Sequence, residues 1–165
     1  TLWEEATRVP LIIDAPQLSP GVCDAPVSLL DLFPTLLELC NFDDAPILDG
    51  ISLVPLIENP NSNWNRPAVI EYKRGNAAVR DARYRYIQYA DGSEELYDHQ
   101  SDPNEWHNLV SEAGVHTIKQ RLSTWIPKVW AASAEKKNSF KFDPQTFRWT
   151  HKTTGVVTEG QHAEP

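Results

Sequence analysis

The chain has 165 residues, 41% of them hydrophobic, which is material for one domain or one and a half at about 100–200 residues each. Thirteen prolines outnumber seven glycines, and six tryptophans with five tyrosines point to rigid turns and aromatic packing rather than a helical bundle. Fifteen Lys+Arg against 23 Asp+Glu leave a net charge of -8, a field that repels phosphates and excludes a nucleic-acid-tracking surface.

The apolar runs 9–13 and 29–39 are too short or too interrupted to cross a bilayer, which needs about 20 apolar residues, so neither a membrane partner nor a signal peptide is expected. There is no methionine, and Thr1-Leu2-Trp3-Glu4-Glu5 reads like the inside of a fold, so the sequence is expected to be a piece of something longer.

In chain order, Val9-Pro10-Leu11-Ile12-Ile13, closed by Asp14-Ala15-Pro16, fits a strand buried on both faces of a parallel sheet. Leu29, Leu30, Phe33, Leu36, Leu37 and Cys40 recur at helical spacing. Pro34 would break that helix internally, so the pattern predicts a turn at 29–31 and a helix from about Pro34. A turn at Leu48-Asp49-Gly50 and a capping Ser52 precede a short helix over 53–57, which Asn59-Pro60 stops.

From Ala68 the period changes to two. The runs 68–72, 77–80, 84–89 and 95–97, with Asp91-Gly92 as a hairpin turn, predict a small antiparallel sheet. Val115, Ile118, Leu122, Trp125 and Ile126 then mark one helical face ended by Pro127. Beyond Ala131 only Phe140, Phe142, Phe147 and Trp149 interrupt a polar stretch, and their spacing predicts an extended tail over 131–165.

The fold class is therefore α/β with an α+β C-terminal subdomain. Residues 1–60 read as the end of a larger α/β domain, and 68–130 as a small antiparallel sheet with a helix laid on it.

Several blocks resemble the C-terminal third of type I, formylglycine-dependent sulfatases. They are Glu4-Glu5-Ala6-Thr7-Arg8-Val9-Pro10-Leu11-Ile12-Ile13, the run Ser28 to Cys40, Leu48-Asp49-Gly50-Ile51-Ser52, Glu95-Leu96-Tyr97-Asp98, and Asp102-Pro103-Asn104-Glu105-Trp106-His107-Asn108-Leu109. The order is right, and the likeness runs from Thr1 to about Pro127. Gly75-Asn76 before Val79-Arg80, and Trp125-Ile126-Pro127, resemble the iduronate-2-sulfatase-like branch. Phosphonate and phosphate monoester hydrolases of the same alkaline-phosphatase-like superfamily share several of these blocks.

The resemblance implies that residues 1–60 hold the last strand and helix of an alkaline-phosphatase-like sheet. It also implies sulfate-ester hydrolysis by a hydrated formylglycine beside calcium, with a sulfated carbohydrate as substrate and an exported location. The modified residue of the family sits in a Cys/Ser-x-Pro-x-Arg block. Cys23 is followed by Asp24-Ala25-Pro26-Val27 and Cys40 by Asn41-Phe42-Asp43, so neither fits. Nucleophile, calcium ligands and an active-site lysine are expected upstream of Thr1, in an N-terminal catalytic portion that is this chain's partner. The chain alone is expected to hold no catalytic residue and no metal, and to be inactive. A glycan-binding module without catalysis is the alternative from another class.

Lys73 and Asn76 are the candidate substrate-binding residues. The resemblance places a lysine at 73 that reaches a uronate carboxylate, an ion an ammonium suits; a solvated loop lysine is the plain alternative. Asp98, His99, Asp102 and His107 contain metal-ligand types, but their spacing fits a turn with carboxylates accepting backbone donors. Glu4 and Arg8 are spaced for a helical ion pair. Arg80, Arg83 and Arg85, alternating with tyrosines, read as a solvated sheet face. Cys23 and Cys40 flank a helix, roughly 20 Å apart if it is continuous, which disfavours a disulfide.

Overall fold

The computed structural model describes residues 1–14, 18–42, 47–132 and 139–159. Thr1–Trp130 form one compact unit and Ala131–Pro165 a second.

The four period-two runs of the first unit become strands β1 (Ala68–Glu71), β2 (Ala77–Arg80), β3 (Tyr84–Gln88) and β4 (Glu94–Asp98), an antiparallel meander in the order 1-2-3-4. Register pairs Ala78 with Ile87, Val79 with Tyr86 and Tyr86 with Leu96. Because successive side chains point to opposite faces, two apolar faces result. Val79, Tyr86 and Leu96 pack against Leu122 of a helix over His116–Ser123, with Leu109, Val115 and Ile118 around them. Ala78, Ile87 and Tyr97 pack instead against Leu2, which is 2% exposed. The small sheet is thus covered by a helix on one face and by the first residues of the chain on the other.

Those first residues form a one-turn helix, α1 (Glu4–Thr7). Helix α2 (Leu32–Leu39) follows a 3-10 turn at Leu29–Asp31, as the sequence predicts. Ser28 and Asp31 cap the turn reciprocally, and Pro34 sits in the first turn of α2, where its missing N–H leaves no helical bond unmade. The buried Asp31 also accepts the Ile51 N–H at 3.0 Å, and the buried Thr35 hydroxyl accepts the Leu53 N–H at 2.8 Å. These two bonds seat residues 50–53 on α2, ahead of α3 (Val54–Glu58). The seat is close: a Cβ on Gly50 would lie 2.0 Å from the Leu30 carbonyl oxygen. The helix over His116–Ser123 is α4.

Three expectations differ from what is found. Residues 9–13 pair with no strand among the described residues, and a parallel strand exists only through a neighbour's ladder. The Ala15-Pro16 part of the turn expected after it lies outside the described residues. Glu4 does not pair with Arg8. The chain leaves α1 at Arg8 in an extended conformation, and Glu4 turns to Arg80 and Arg85.

The third difference is in the second unit, where 140–159 are a three-stranded antiparallel sheet rather than an extended tail. Its strands are β5 (Phe140–Asp143), β6 (Arg148–His151) and β7 (Val157–Glu159). Within each strand the period is two, so Phe142 meets Trp149 at 4.6 Å between ring centroids and Phe140 meets His151 at 4.8 Å. The irregular aromatic spacing comes from the intervening turn, in which Phe147 takes φ 53. No helix among the described residues is long and apolar enough to cross a membrane.

Candidate functional site

The loop between β1 and β2 carries both candidate binding residues. Lys73 takes φ 57 and Gly75 φ 86, left-handed conformations that favour glycine and that a lysine adopts at a cost of roughly 1–2 kcal/mol. The turn closes by a bond from the Tyr72 N–H to the Asn76 carbonyl at 3.0 Å. Asn76 holds the loop to the neighbouring β3–β4 turn: its Oδ1 accepts the Ala90 N–H at 3.2 Å, while its Nδ2 donates to the Arg74 carbonyl at 3.3 Å. A Cβ on Gly75 would come within 2.9 Å of the Ala90 side chain, so the two turns touch.

Lys73 and Asn76 open into one cleft of about 380 Å³, shared with Thr1, Leu2, Trp3, Tyr72 and Tyr89. The Lys73 ammonium lies 5.3 Å from the centroid of the Tyr72 ring. No described carboxylate pairs with it. Across the cleft the Trp3 indole N–H donates to Glu95 at 2.7 Å, and the Tyr97 hydroxyl donates to the same oxygen at 3.0 Å. Burial, reinforced by the Glu95 charge, pushes the Tyr89 phenol up to about 12, so at neutral pH it keeps its proton. The cleft therefore offers aromatic walls, a phenol and a cation with no counter-ion among the described residues.

Behind α1 lies a buried charge cluster that the sequence reading missed. Arg85, whose side chain is 2% exposed, donates to the Leu2 carbonyl at 2.7 Å, pairs with Glu4, and meets Glu105 at 2.7 Å. Glu105 in turn accepts the Glu4 N–H at 2.8 Å and faces the His99 Nε2 at 2.8 Å. Arg80 adds a contact to Glu4 at 3.3 Å. Burial pushes the Glu4 carboxyl up, but the hydrogen bond and charge of Arg85, with Arg80 behind it, outweigh that and hold it below its ordinary 4.5. Arg80, Arg83 and Arg85 are thus not a uniformly solvated face. Strand alternation puts 80 and 85 on the side that α1 covers, and only Arg83 is largely open, bound through two nitrogens to Asp98 at 2.9 and 2.6 Å.

Ligand-type atoms of Glu4, His99 and Glu105 lie within 4.8 Å of one another. The Arg85 guanidinium already stands against both carboxylates, so a cation there would meet a fixed buried positive charge. The calcium that the resemblance implies does not fit this set. Asp98, His99, Asp102 and His107 do not converge either: Asp98 serves Arg83, His99 serves Glu105, and Asp102 accepts the His107 N–H at 2.8 Å. Cys23 and Cys40 are exposed free thiols.

The family described as "N-sulphoglucosamine sulphohydrolase, C-terminal" matches residues 1–131. A sulfatase of Formosa agariphila is 38% identical over 157 residues, covering 94% of this chain and 30% of that protein. A choline-sulfatase of Rhizobium meliloti is 34% identical over 116 residues, 66% of this chain and 22% of that one. Mouse arylsulfatase K is 30% identical over 162 residues, 86% and 29%.

The match over residues 1–131, with sulfatase relatives covering most of this chain, defines a sulfatase C-terminal domain. The chain belongs to the sulphohydrolase C-terminal family. It spans under a third of the length of these relatives, and their names do not set it in the iduronate branch.

Proposed function

We propose that the chain is the C-terminal portion of a sulfatase of the iduronate-2-sulfatase-like kind, which hydrolyses sulfate esters of a carboxylated sugar. This portion completes the fold and supplies one wall of the substrate cleft. The observation that carries the reading is Lys73, a cation without a counter-ion among the described residues, held in a costly backbone conformation inside an aromatic-walled cleft. Asn76 fixes the loop that presents it. An ammonium there attracts a carboxylate and repels a quaternary ammonium, so the charge favours an anionic sugar over the cation named in the choline-sulfatase match.

Nucleophile, calcium ligands and leaving-group acid belong to the upstream portion, since neither cysteine here lies in the required block. Apolar side chains left open on α2 and around it, among them Leu29 and Phe33 at 67% and 52% exposure, support a partner of that kind.

The test is kcat and KM for Lys73→Ala in the full-length enzyme. A lysine that touches the substrate carboxylate before and during sulfate transfer contributes uniform binding. KM for a uronate sulfate should rise about 10- to 100-fold, the loss of a charge-assisted bond, while an uncharged aryl sulfate is barely affected. Equal losses of kcat on both substrates would assign Lys73 to the chemical step. No change on either would return it to a solvated loop lysine.

A further inference from the structure

Glu105 does not line the Lys73 cleft, yet one wall of that cleft hangs on it. Its carboxylate is 4% exposed and accepts the Glu4 main-chain N–H at 2.8 Å. It also meets Arg85, which donates to the Leu2 main-chain carbonyl at 2.7 Å. Leu2 and Glu4 flank Trp3, and Leu2 and Trp3 are that wall. Two charge-assisted bonds to main-chain atoms on either side of one residue fix where its backbone lies. Glu105 itself takes φ 59, a left-handed conformation that persists only where the surroundings over-determine it.

Stability alone is a poor reason for this arrangement. The sheet face is already closed by Leu2 against Ala78, Ile87 and Tyr97, and buried ion pairs are often no better than apolar packing of the same volume. What they add is geometry, since Glu105 cannot move without giving up both the Glu4 main-chain N–H and its contact with the buried Arg85.

We infer that Glu105 and Arg85 are positioning residues for the substrate cleft, clamping the Leu2–Glu4 main chain and thereby setting the distance between that wall and Lys73. The inference rests on the reading of the cleft as the substrate site. It is tested in the full-length sulfatase with Glu105→Ala and Glu105→Gln, following amide hydrogen exchange over residues 2–7 together with kcat and KM for a uronate sulfate and an uncharged aryl sulfate.

Loss of the clamp in Glu105→Ala should speed exchange at residues 2–7 at least about tenfold and raise KM for the uronate sulfate by about the same factor, with KM moving more than kcat. Glu105→Gln keeps an oxygen for the Glu4 N–H and the shape of the side chain, so both readouts should fall in between. Unchanged exchange overturns the clamp. Faster exchange with unchanged KM overturns its link to the cleft, as does a parallel loss of kcat and KM on both substrates. Lys73→Ala run alongside separates the two readings: if it raises KM while the Glu105 variants do not, only the positioning role falls; if it leaves KM unchanged, the substrate reading falls and the positioning role with it.

Discussion

The β1–β4 sheet and the segment carrying α2 and α3 share one unit and are built to opposite standards of completeness. In the sheet, Ala77, Ala78, Val79, Ile87 and Leu96 are fully buried, and its most deeply buried charged side chain, Arg85, meets two carboxylates and a carbonyl. Around α2, by contrast, Leu29, Leu30, Phe33 and Leu36 are all more than half exposed, and Ile12 is 89% exposed. Yet that segment is not loosely made, because its polar groups are as carefully placed as those of the sheet, with Asp31 and Thr35 buried and bonded. Local hydrogen bonding thus sets the shape of the second region, while its apolar side chains stay open among the described residues. A surface that is polar-satisfied and apolar-open is what the proposed upstream portion would cover.

Three measurements would break or sharpen this contrast. The largest effect belongs to the sheet. Arg85→Met takes the guanidinium away from the buried Glu105 and leaves Glu4 with Arg80 alone, and denaturant unfolding of the full-length enzyme should show a loss of about 3–5 kcal/mol. A variant as stable as the parent would mean that the cluster is solvated and the sheet less closed than described.

Next is a substitution whose cost depends on what surrounds it. If the proposed upstream portion covers the α2 face, Phe33→Ala should cost about 2–4 kcal/mol in the full-length protein. In the isolated chain it should fall within about 0.5 kcal/mol, and any self-association measured by sedimentation should decrease. Equal costs in both would dissolve the distinction between the two regions.

The smallest effect is acid sensitivity at the sheet's helix-covered face. Burial pushes the Glu94 carboxyl up, but hydrogen bonds from Lys119 and Tyr86 outweigh it and hold the group below its ordinary 4.5. A carboxyl lowered on folding contributes stability that is fully present above its unfolded value and lost as pH falls through its folded one. The fall in melting temperature between about pH 5 and about pH 3 should therefore be smaller in Glu94→Gln than in the parent, from a lower starting value at neutral pH. An unchanged acid slope would assign the lost stability to other carboxylates.

The elements of the first unit that rest on local periodicity were legible in the sequence: the four strands, α4, and the turn before α2 all follow from spacing and from Pro34. Lys73 and Asn76 were singled out by motif, and the structure brings both into one cleft. The charge cluster was not seen, although half its signal was present. Arg85 stands two residues before Ile87, and in a strand those share a face, so a buried Ile87 already implies an inward Arg85. The missing half was what could neutralise it, since its partners come from the first turn of the chain and from the loop after β4 and no local pattern connects them. The strands of the second unit are illegible for the converse reason: the turn carrying Phe147 breaks the aromatic spacing, and the period of two holds only within each strand. Strand 9–13 depends on a ladder from a neighbour that no described residue provides.

The clamp on α1 also has a consequence for when the protein can be finished during synthesis. Glu4 waits for Arg80, 76 residues later, for Arg85, 81 residues later, and for Glu105, 101 residues later. At about 5–20 residues per second the ribosome needs about 5–20 s to supply the last of them. Until Glu105 has emerged, Arg85 can hold the Leu2 carbonyl but nothing accepts the Glu4 main-chain N–H, so the clamp is closed on one side of Trp3 only. A premature stop anywhere between the end of β3 and Glu105 would leave Arg85 present without its second carboxylate. Such truncated chains should be recognised by proteases at the first turn, well away from the site of truncation.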